Sequence, residues 1–151
     1  MKTLHFQQLI RAPRQQVWQR MLDDAGYRDW TSAFCPGSYY EGVWQQGASM
    51  KFLSPDGFGM HAVIAEWRPP EYLAIKLLGE IRAGAVVAGA GAANSDGEQW
   101  APAYETYSLR DHAAGCELTV TMDCTDAMAP TMLDTWPKAL ARLQALAEAS
   151  G

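Results

Sequence analysis

Histidines and cysteines most often hold metals or act as nucleophiles, and in this chain they are few and scattered. They are His5, His61, His112, Cys35, Cys116 and Cys124. The histidines show no HxxxH or HxxE spacing, the cysteines show no CxxC spacing, and the two sets do not fall in register. Because a metal site needs three or four convergent ligands, we expect no metal centre.

Motifs for nucleotide binding and for nucleophilic catalysis are also missing. The sequence has no GxSxG, no GxxxxGK[ST] and no GxGxxG between a strand and a helix. Gly89-Ala90-Gly91 is glycine-rich but lacks the lysine of a phosphate loop. Cys35 has no evident base partner, so a structural thiol is the simpler interpretation. We therefore expect no cofactor.

Two carboxylates, Glu66 and Glu105, are the remaining acid–base candidates. Glu105 shares one face of a predicted strand with Ala103, Tyr107 and Leu109. If that face points inward, burial will raise the pKa of Glu105, and the carboxyl could orient a ligand or act as a general acid or base. The alternative is a solvated strand residue or a structural hydrogen bond, which is the commoner case for a glutamate.

Large aromatic side chains give the stronger indication of a site. Several of them fall on elements that are predicted to line the space between a sheet and the C-terminal helix, or its mouth: Trp30, Phe34, Trp44, Phe52, Trp100, Tyr104 and Trp136. Tryptophan and tyrosine combine a large apolar surface with one polar group, which suits a hydrophobic pocket as well as a core. The methionines Met50, Met60, Met122, Met128 and Met132 would make such a pocket adaptable, although core filling explains them equally well.

Composition excludes several broad classes of function. The 151 residues are expected to form one domain, residues 1–151, and 48% of them are hydrophobic. A net charge of −5 without basic runs argues against nucleic acid. No apolar stretch approaches the ~20 residues of a membrane span, and the N-terminus does not resemble a secretory signal. With three unpatterned cysteines, the prediction is a cytoplasmic protein.

The residue pattern predicts an α+β fold whose strands follow one another in hairpins. A strand over Thr3–Ile10 leads into a helix from Pro13 to about Leu22, a break at Asp23–Gly26 and a short helix or turn over Tyr27–Phe34. The strands expected after these are Tyr40–Trp44, Ser49–Leu53, Gly59–Trp67, Tyr72–Leu78, Ala103–Arg110 and Cys116–Asp123. Within Gly59–Trp67, alternation places Met60, Ala62, Ile64 and Glu66 on one face and His61, Val63, Ala65 and Trp67 on the other. Residues 79–102 are expected to extend a strand in part and otherwise to form a mobile loop.

A long amphipathic helix over Ala129–Ala149 is expected to cover the apolar face of this antiparallel sheet. Its apolar stripe contains Leu133, Trp136, Leu140, Leu143 and Ala147, widened by Met132, Ala139 and Leu146. Pro137 lies inside the pattern and predicts a kink or a short first turn followed by a straight segment. A bent sheet around one helix leaves a wedge-shaped space that is a natural ligand cavity.

An ordered set of short motifs resembles the SRPBCC superfamily, also called START-like or helix-grip, and within it the branch of the activator of heat-shock protein 90 ATPase. The motifs are Ile10-x-Ala12-Pro13-x-x-x-Val17-Trp18, Tyr27-x-x-Trp30, Gly37-Ser38, Gly42-x-Trp44-x-x-Gly47, Gly59-Met60, Glu66-x-x-Pro69-x-Glu71, Trp100-x-x-x-x-Glu105-x-Tyr107 and Trp136-Pro137-x-x-Leu140. They span nearly the whole chain and are specific for the fold rather than for one function. The resemblance implies a curved antiparallel sheet wrapped around the C-terminal helix.

Three functions follow as hypotheses, and the first is non-catalytic binding of a small hydrophobic or aromatic molecule. The expected ligand-binding residues are Trp30, Phe34, Phe52, Met60, His61, Tyr104, Glu105, Met132, Trp136 and Leu140. Replacing Trp136 with alanine should then weaken binding without unfolding the domain. The second hypothesis, implied by the resemblance, is a co-chaperone-like module with a chaperone partner. The third is a cyclase- or hydrolase-type enzyme that uses Glu105 and His61, and an exposed edge strand would permit a homodimer.

Overall fold

The computed structural model describes residues 2–83, 85–86 and 103–149 of the chain. Its elements, in order, are β1 (Lys2–Ile10), α1 (Arg14–Leu22), α2 (Asp24–Trp30), a 3₁₀ turn (Thr31–Ala33), β2 (Tyr39–Glu41), β3 (Ser49–Leu53), β4 (Gly59–Arg68), β5 (Tyr72–Arg82), β6 (Ala85–Val86), β7 (Ala103–His112), β8 (Gly115–Cys124) and α3 (Ala129–Ala149). The predicted order of strands and helices is confirmed. Within residues 79–102, where part of a strand and a mobile loop were expected, β5 continues to Arg82 and β6 covers Ala85–Val86. Residues 84 and 87–102, with Trp100, lie outside the described residues.

The strands form one curved antiparallel sheet. Their spatial order is β1-β8-β7-β5-β4-β3-β2, with the short β6 paired to β5. β8, the last strand along the chain, therefore pairs with β1, the first strand, on one side and with β7 on the other. Alternating burial along β8 directs Leu118, Val120 and Met122 to the inner face, as their spacing predicts.

Two register shifts interrupt the pairing of β4 with β5. Ile64 faces Ile75 and Glu66 faces Ala74, so Ala65 is an extra residue on β4. His61 faces Gly79 and Ala62 faces Leu77, so Leu78 is an extra residue on β5. A bulge bends its strand and reverses the inward–outward alternation beyond it. These shifts correct the predicted faces of β4, because Trp67 packs on the inner side against Trp18, 5.2 Å between ring centroids, while Glu66 is exposed.

Helices α1 and α2 are separated by a single residue, Asp23, rather than by the four-residue break predicted. The Asp23 carboxylate accepts a hydrogen bond from the Gly26 amide at 2.5 Å, which caps the start of α2. Gly26 is itself helical, and a Cβ placed there would lie 1.8 Å from the Arg20 carbonyl oxygen. The turn between the helices is thus as tight as a glycine allows.

Replacing Gly26 with alanine is expected to destabilise the protein by about 1–3 kcal/mol, because α2 must move away from the end of α1. The free energy of unfolding from urea denaturation measures this loss. Ala25→Ser, at the exposed neighbouring position, is the control and should change stability by less than about 0.5 kcal/mol. Equal stability of the Gly26→Ala protein and the wild type would contradict the tight approach.

Helix α3 runs over Ala129–Ala149 as predicted and continues through Pro137 without interruption, so the alternative of a short separate first turn is wrong. Its buried side is formed by Ala129, Trp136, Ala139, Leu140, Leu143 and Ala147. Leu133, predicted in the apolar stripe, is 54% exposed, which corrects that assignment. Helix α3 packs on β1, α1, α2 and the 3₁₀ turn.

Candidate functional site

A cavity of about 450 Å³ lies between the inner face of the sheet and the helices. The first part of α3 contributes Met132 and Trp136, and the segment from α2 to the 3₁₀ turn contributes Tyr27, Trp30 and Thr31. Strands β3, β4, β5, β7 and β8 supply the opposite wall. The space is of the size and composition that small apolar ligands occupy in other proteins.

Aromatic rings form most of the helical side of the cavity. Tyr27, Trp30, Tyr107 and Trp136, which we call the aromatic cluster, pack in a chain: ring centroids lie 5.8 Å apart for Tyr27 and Trp30, 6.4 Å for Trp30 and Tyr107, and 6.2 Å for Tyr107 and Trp136. Phe34 meets Trp136 edge to face at 4.9 Å. Such spacings are those of favourable ring pairs, so the wall is a packed surface rather than a set of loose side chains.

The polar atoms of these aromatic rings are largely used within the protein. Trp30 Nε1 donates to the Met21 carbonyl at 2.9 Å, and Tyr40 and Trp44 both donate to the Leu22 carbonyl, at 2.8 and 3.1 Å. These carbonyls belong to the last turn of α1, where the helix leaves acceptors without a partner of its own. The end of α1 therefore fixes the orientation of these three rings, of which Trp30 and Trp44 line the cavity.

Glu105 brings a carboxyl group into this apolar wall. It lies on β7 between Ala103 and Tyr107, and all three line the cavity, so the structure meets the condition that this face points inward. Burial raises the pKa of Glu105 to about 7, and a hydrogen bond from the Tyr107 side chain partly opposes that shift. Burial, followed by the charge of Glu105, raises the pKa of Tyr27 and of Tyr107 above the usual tyrosine value. Both phenols thus remain protonated donors near neutral pH.

Two further acidic residues border the cavity. Glu80, buried on β5, comes inward because of the bulge at Leu78, and its Oε1 lies 3.7 Å from Nη2 of Arg82. Asp123 contributes to the rim, but its carboxylate accepts hydrogen bonds from the Thr3 hydroxyl and the Tyr104 amide, both at exposed positions. Glu105 is therefore the carboxyl most directly presented to a ligand.

The structure brings seven of the predicted ligand-binding residues to the cavity and leaves three outside it. Those that line it are Trp30, Phe34, Phe52, Met60, Glu105, Met132 and Trp136. Tyr104 is 41% exposed on the outer face of β7, and His61 lies between the inward Met60 and Ala62 on β4 and so points outward. Leu140 is buried beneath the cavity in the core. Glu105 and His61 consequently lie on opposite faces and do not form an acid–base pair.

Several lining residues escaped the sequence reasoning. Glu80 has no signal in the sequence, since strict alternation from Ile75 would place it outward. Tyr27 and Tyr107 could have been found from the sequence, because each belongs to one of the motifs that resemble the family and Tyr107 shares a strand face with Glu105. Trp44 and the methionines Met60, Met122, Met128 and Met132 were expected near the space and do line it, whereas Met50 is buried in the core.

Within the described part of the chain, no group of three or more histidine, cysteine or acidic side chains is arranged to hold a metal ion. None of the helices in that part is both long enough and apolar enough to cross a membrane. Cys35, Cys116 and Cys124 are not joined in disulfides, and burial raises the pKa of Cys116 to about 11, which makes it an unreactive thiol at neutral pH.

Solved structures with the same architecture come from several bacteria. Protein MLL2253 from Mesorhizobium loti is 12% identical with a TM-score of 0.76, and 99% of each chain is covered. Protein CV1439 from Chromobacterium violaceum is 18% identical with a TM-score of 0.68, over 98% of this chain and 99% of that one. DynU16, from the dynemicin biosynthetic locus, is 14% identical with a TM-score of 0.68, over 95% of this chain and 46% of its own. At these identities the likeness concerns the fold alone.

A comparison with curated proteins found no match. A family model, by contrast, matches residues 11–148, from the turn after β1 to the last turn of α3. The match covers all the described residues that line the cavity. The chain belongs to the family described as activator of Hsp90 ATPase homolog 1-like protein.

Proposed function

We propose that this protein binds a small, predominantly apolar molecule in the cavity between the sheet and α3. The observation that carries the proposal is the composition of the wall: aromatic, methionine and aliphatic side chains surround about 450 Å³, with Glu105 presented among them. A protein of this length has enough apolar residues to fill its interior. An empty cavity of this size therefore lowers the stability of the fold. A bound ligand would restore the missing packing.

Filling the cavity from the sheet side is expected to abolish binding while the fold is kept. Ala103 lines the cavity and is 3% exposed, and Ala103→Phe would project a ring into the space beside Glu105. With the neutral probe N-phenyl-1-naphthylamine, fluorescence titration should show an affinity at least about tenfold lower than that of the wild type, or ~1.4 kcal/mol.

The matched control is Val63→Phe, which adds the same ring on the outward side of β4. Its affinity for the probe should equal that of the wild type, and circular dichroism should show both variants folded. Absence of probe binding to the wild type, or equal binding to all three proteins, would contradict the proposed cavity site.

A second candidate function comes from the family name alone. Because the chain belongs to a family described by likeness to an activator of Hsp90 ATPase, a co-chaperone-like role is proposed as the alternative. Adding the purified protein to Hsp90 and measuring ATP hydrolysis tests it directly. Stimulation that persists in the Ala103→Phe variant would favour a surface interaction over the cavity, and no stimulation would remove this candidate.

A further inference from the structure

We propose that the preferred ligand of this cavity is a hydrophobic amine, bound as the ammonium ion and paired with Glu105. The inference rests on the ligand-binding function proposed above and narrows it to one chemical class. It follows from the sign of the charges in the wall and from the position of the aromatic cluster relative to Glu105.

The lining is acidic and contains no basic side chain among the described residues. Its ionisable carboxyls are Glu80, Glu105 and Asp123, whereas no lysine, arginine or histidine lines the cavity. Residues 84 and 87–102, which the structure does not describe, contain no lysine, arginine or histidine either. A carboxylate or phosphate ligand would therefore enter an apolar space without a counter-charge, which is strongly unfavourable.

The aromatic cluster offers a second favourable interaction to a cation. Tyr107 and Tyr27 lie beside Glu105, and Trp30 and Trp136 adjoin them in the same wall. The indole N–H groups are already used, by Met21 for Trp30 and by Met122 Sδ for Trp136 at 2.7 Å. The faces of electron-rich rings attract ammonium groups, and more so where water is excluded.

Among the ionisable groups that line the cavity, Glu105 is the one best placed to pair with the ammonium group of the ligand. Tyr27 from α2 and Tyr107 from β7 are neutral donors near pH 7 because burial raises the pKa of each. Glu80 on β5 already forms an ion pair with Arg82, and Asp123 on β8 accepts its hydrogen bonds outside the cavity. Helix α3 contributes only Met132 and Trp136 from its described lining. An ammonium ion would thus meet one carboxyl, that of Glu105, with the neutral phenol groups of Tyr27 and Tyr107 beside it.

Isothermal titration calorimetry with three probes that share a naphthyl ring and differ in charge tests the inference. They are 2-naphthylmethylamine, 2-naphthylmethanol and 2-naphthylacetate, which are cationic, neutral and anionic at pH 7.5. The amine is expected to bind about tenfold more tightly than the alcohol, as a charge-assisted hydrogen bond allows, and the anion more weakly than both. Equal binding of amine and alcohol, or preference for the anion, would overturn the inference and leave the proposed function standing. Failure of all three to bind would overturn both.

Glu105→Gln separates the charge from the shape of the wall. The variant should bind the amine no more tightly than the alcohol, whereas the control Glu66→Gln, on exposed surface, should keep the preference for the amine. In the wild type, affinity for the amine should fall as the pH is lowered through about 7, since Glu105 must release its proton to pair with the ammonium ion. A pH dependence that survives in Glu105→Gln would contradict the assignment.

Discussion

Replacing Trp136 with alanine is expected to lower the free energy of unfolding by about 3–5 kcal/mol, the usual cost of removing a buried tryptophan. Trp136 is 2% exposed, and its ring contacts four others, Phe6, Trp30, Phe34 and Tyr107. It joins α3 to β1, to the end of α2 and to β7 at once. The expectation from the sequence, that this substitution weakens binding without unfolding the domain, therefore has to include a cost in stability, because the Trp136 ring belongs both to the cavity wall and to the core.

Chemical denaturation measured by far-ultraviolet circular dichroism gives the stability of the Trp136→Ala protein. Leu133→Ala on the same helix is the matched control, since Leu133 is 54% exposed and its loss should change stability by less than about 0.5 kcal/mol. A loss below about 1 kcal/mol at Trp136 would mean that the interior closes over the gap, contrary to the packed contacts described above.

Glu105 is expected to make the protein less stable as the pH rises from about 4.5 to about 7. The pKa of this carboxyl is raised in the folded protein, so between these values the folded state binds more protons than the unfolded state, and each rise in pH favours unfolding. A shift from 4.5 to about 7 corresponds to about 3 kcal/mol, at one pKa unit per ~1.4 kcal/mol. The contribution of Glu105 to the free energy of unfolding is therefore fully present below pH 4.5 and is lost above about pH 7.

Glu105→Gln removes this dependence because the amide does not ionise. The variant should be more stable than the wild type by up to about 3 kcal/mol at a pH of about 8, and nearly equal to it at about pH 4.5. Urea denaturation across this range measures the difference, with Glu66→Gln as the control for an exposed carboxylate. A constant difference between variant and wild type at every pH would show that folding does not shift the pKa of Glu105.

The elements with strong periodicity were predictable from the sequence. Helix α3 and strand β3 have the predicted bounds, Ala129–Ala149 and Ser49–Leu53, because apolar spacing and flanking turn residues agree there. Strand β2 is shorter than predicted, Tyr39–Glu41 rather than Tyr40–Trp44, because Gly42 takes a positive φ of 125° that ends the strand. The α1–α2 junction was predicted too wide, since a helical glycine that serves close packing resembles a glycine that ends a helix.

The cavity was predictable in outline, and the individual wall residues only where strands are regular. The shared face of Ala103, Glu105 and Tyr107 was predictable because β7 pairs with β8 without interruption, whereas the sequence left open whether that face points inward. The inward or outward direction of the side chains beyond Ala65 and Leu78 was not predictable. A bulge depends on how two strands pair, and the sequence of neither strand indicates it. For that reason Glu80 was missed as a wall residue, and Trp67 was assigned to the wrong face of β4. His61 and Tyr104 were proposed for their chemistry, although alternation with Met60 and Glu105 places both outside.

The position of β1 between β8 and α3 has a consequence for how the chain reaches this structure. Gln8 bonds to Gln144, the Arg11 amide donates to Glu148 at 2.9 Å, and Gln16 donates to the Ala147 carbonyl. Each of these contacts closes a loop of well over one hundred residues, and the entropy of closing it must be lost before the contact can form. High average sequence separation slows folding, so we expect a refolding time in the range of milliseconds to seconds. Because Met132 and Trp136 of α3 belong to the cavity wall, the cavity is complete only when α3 has packed, and a ligand can bind only from that point on.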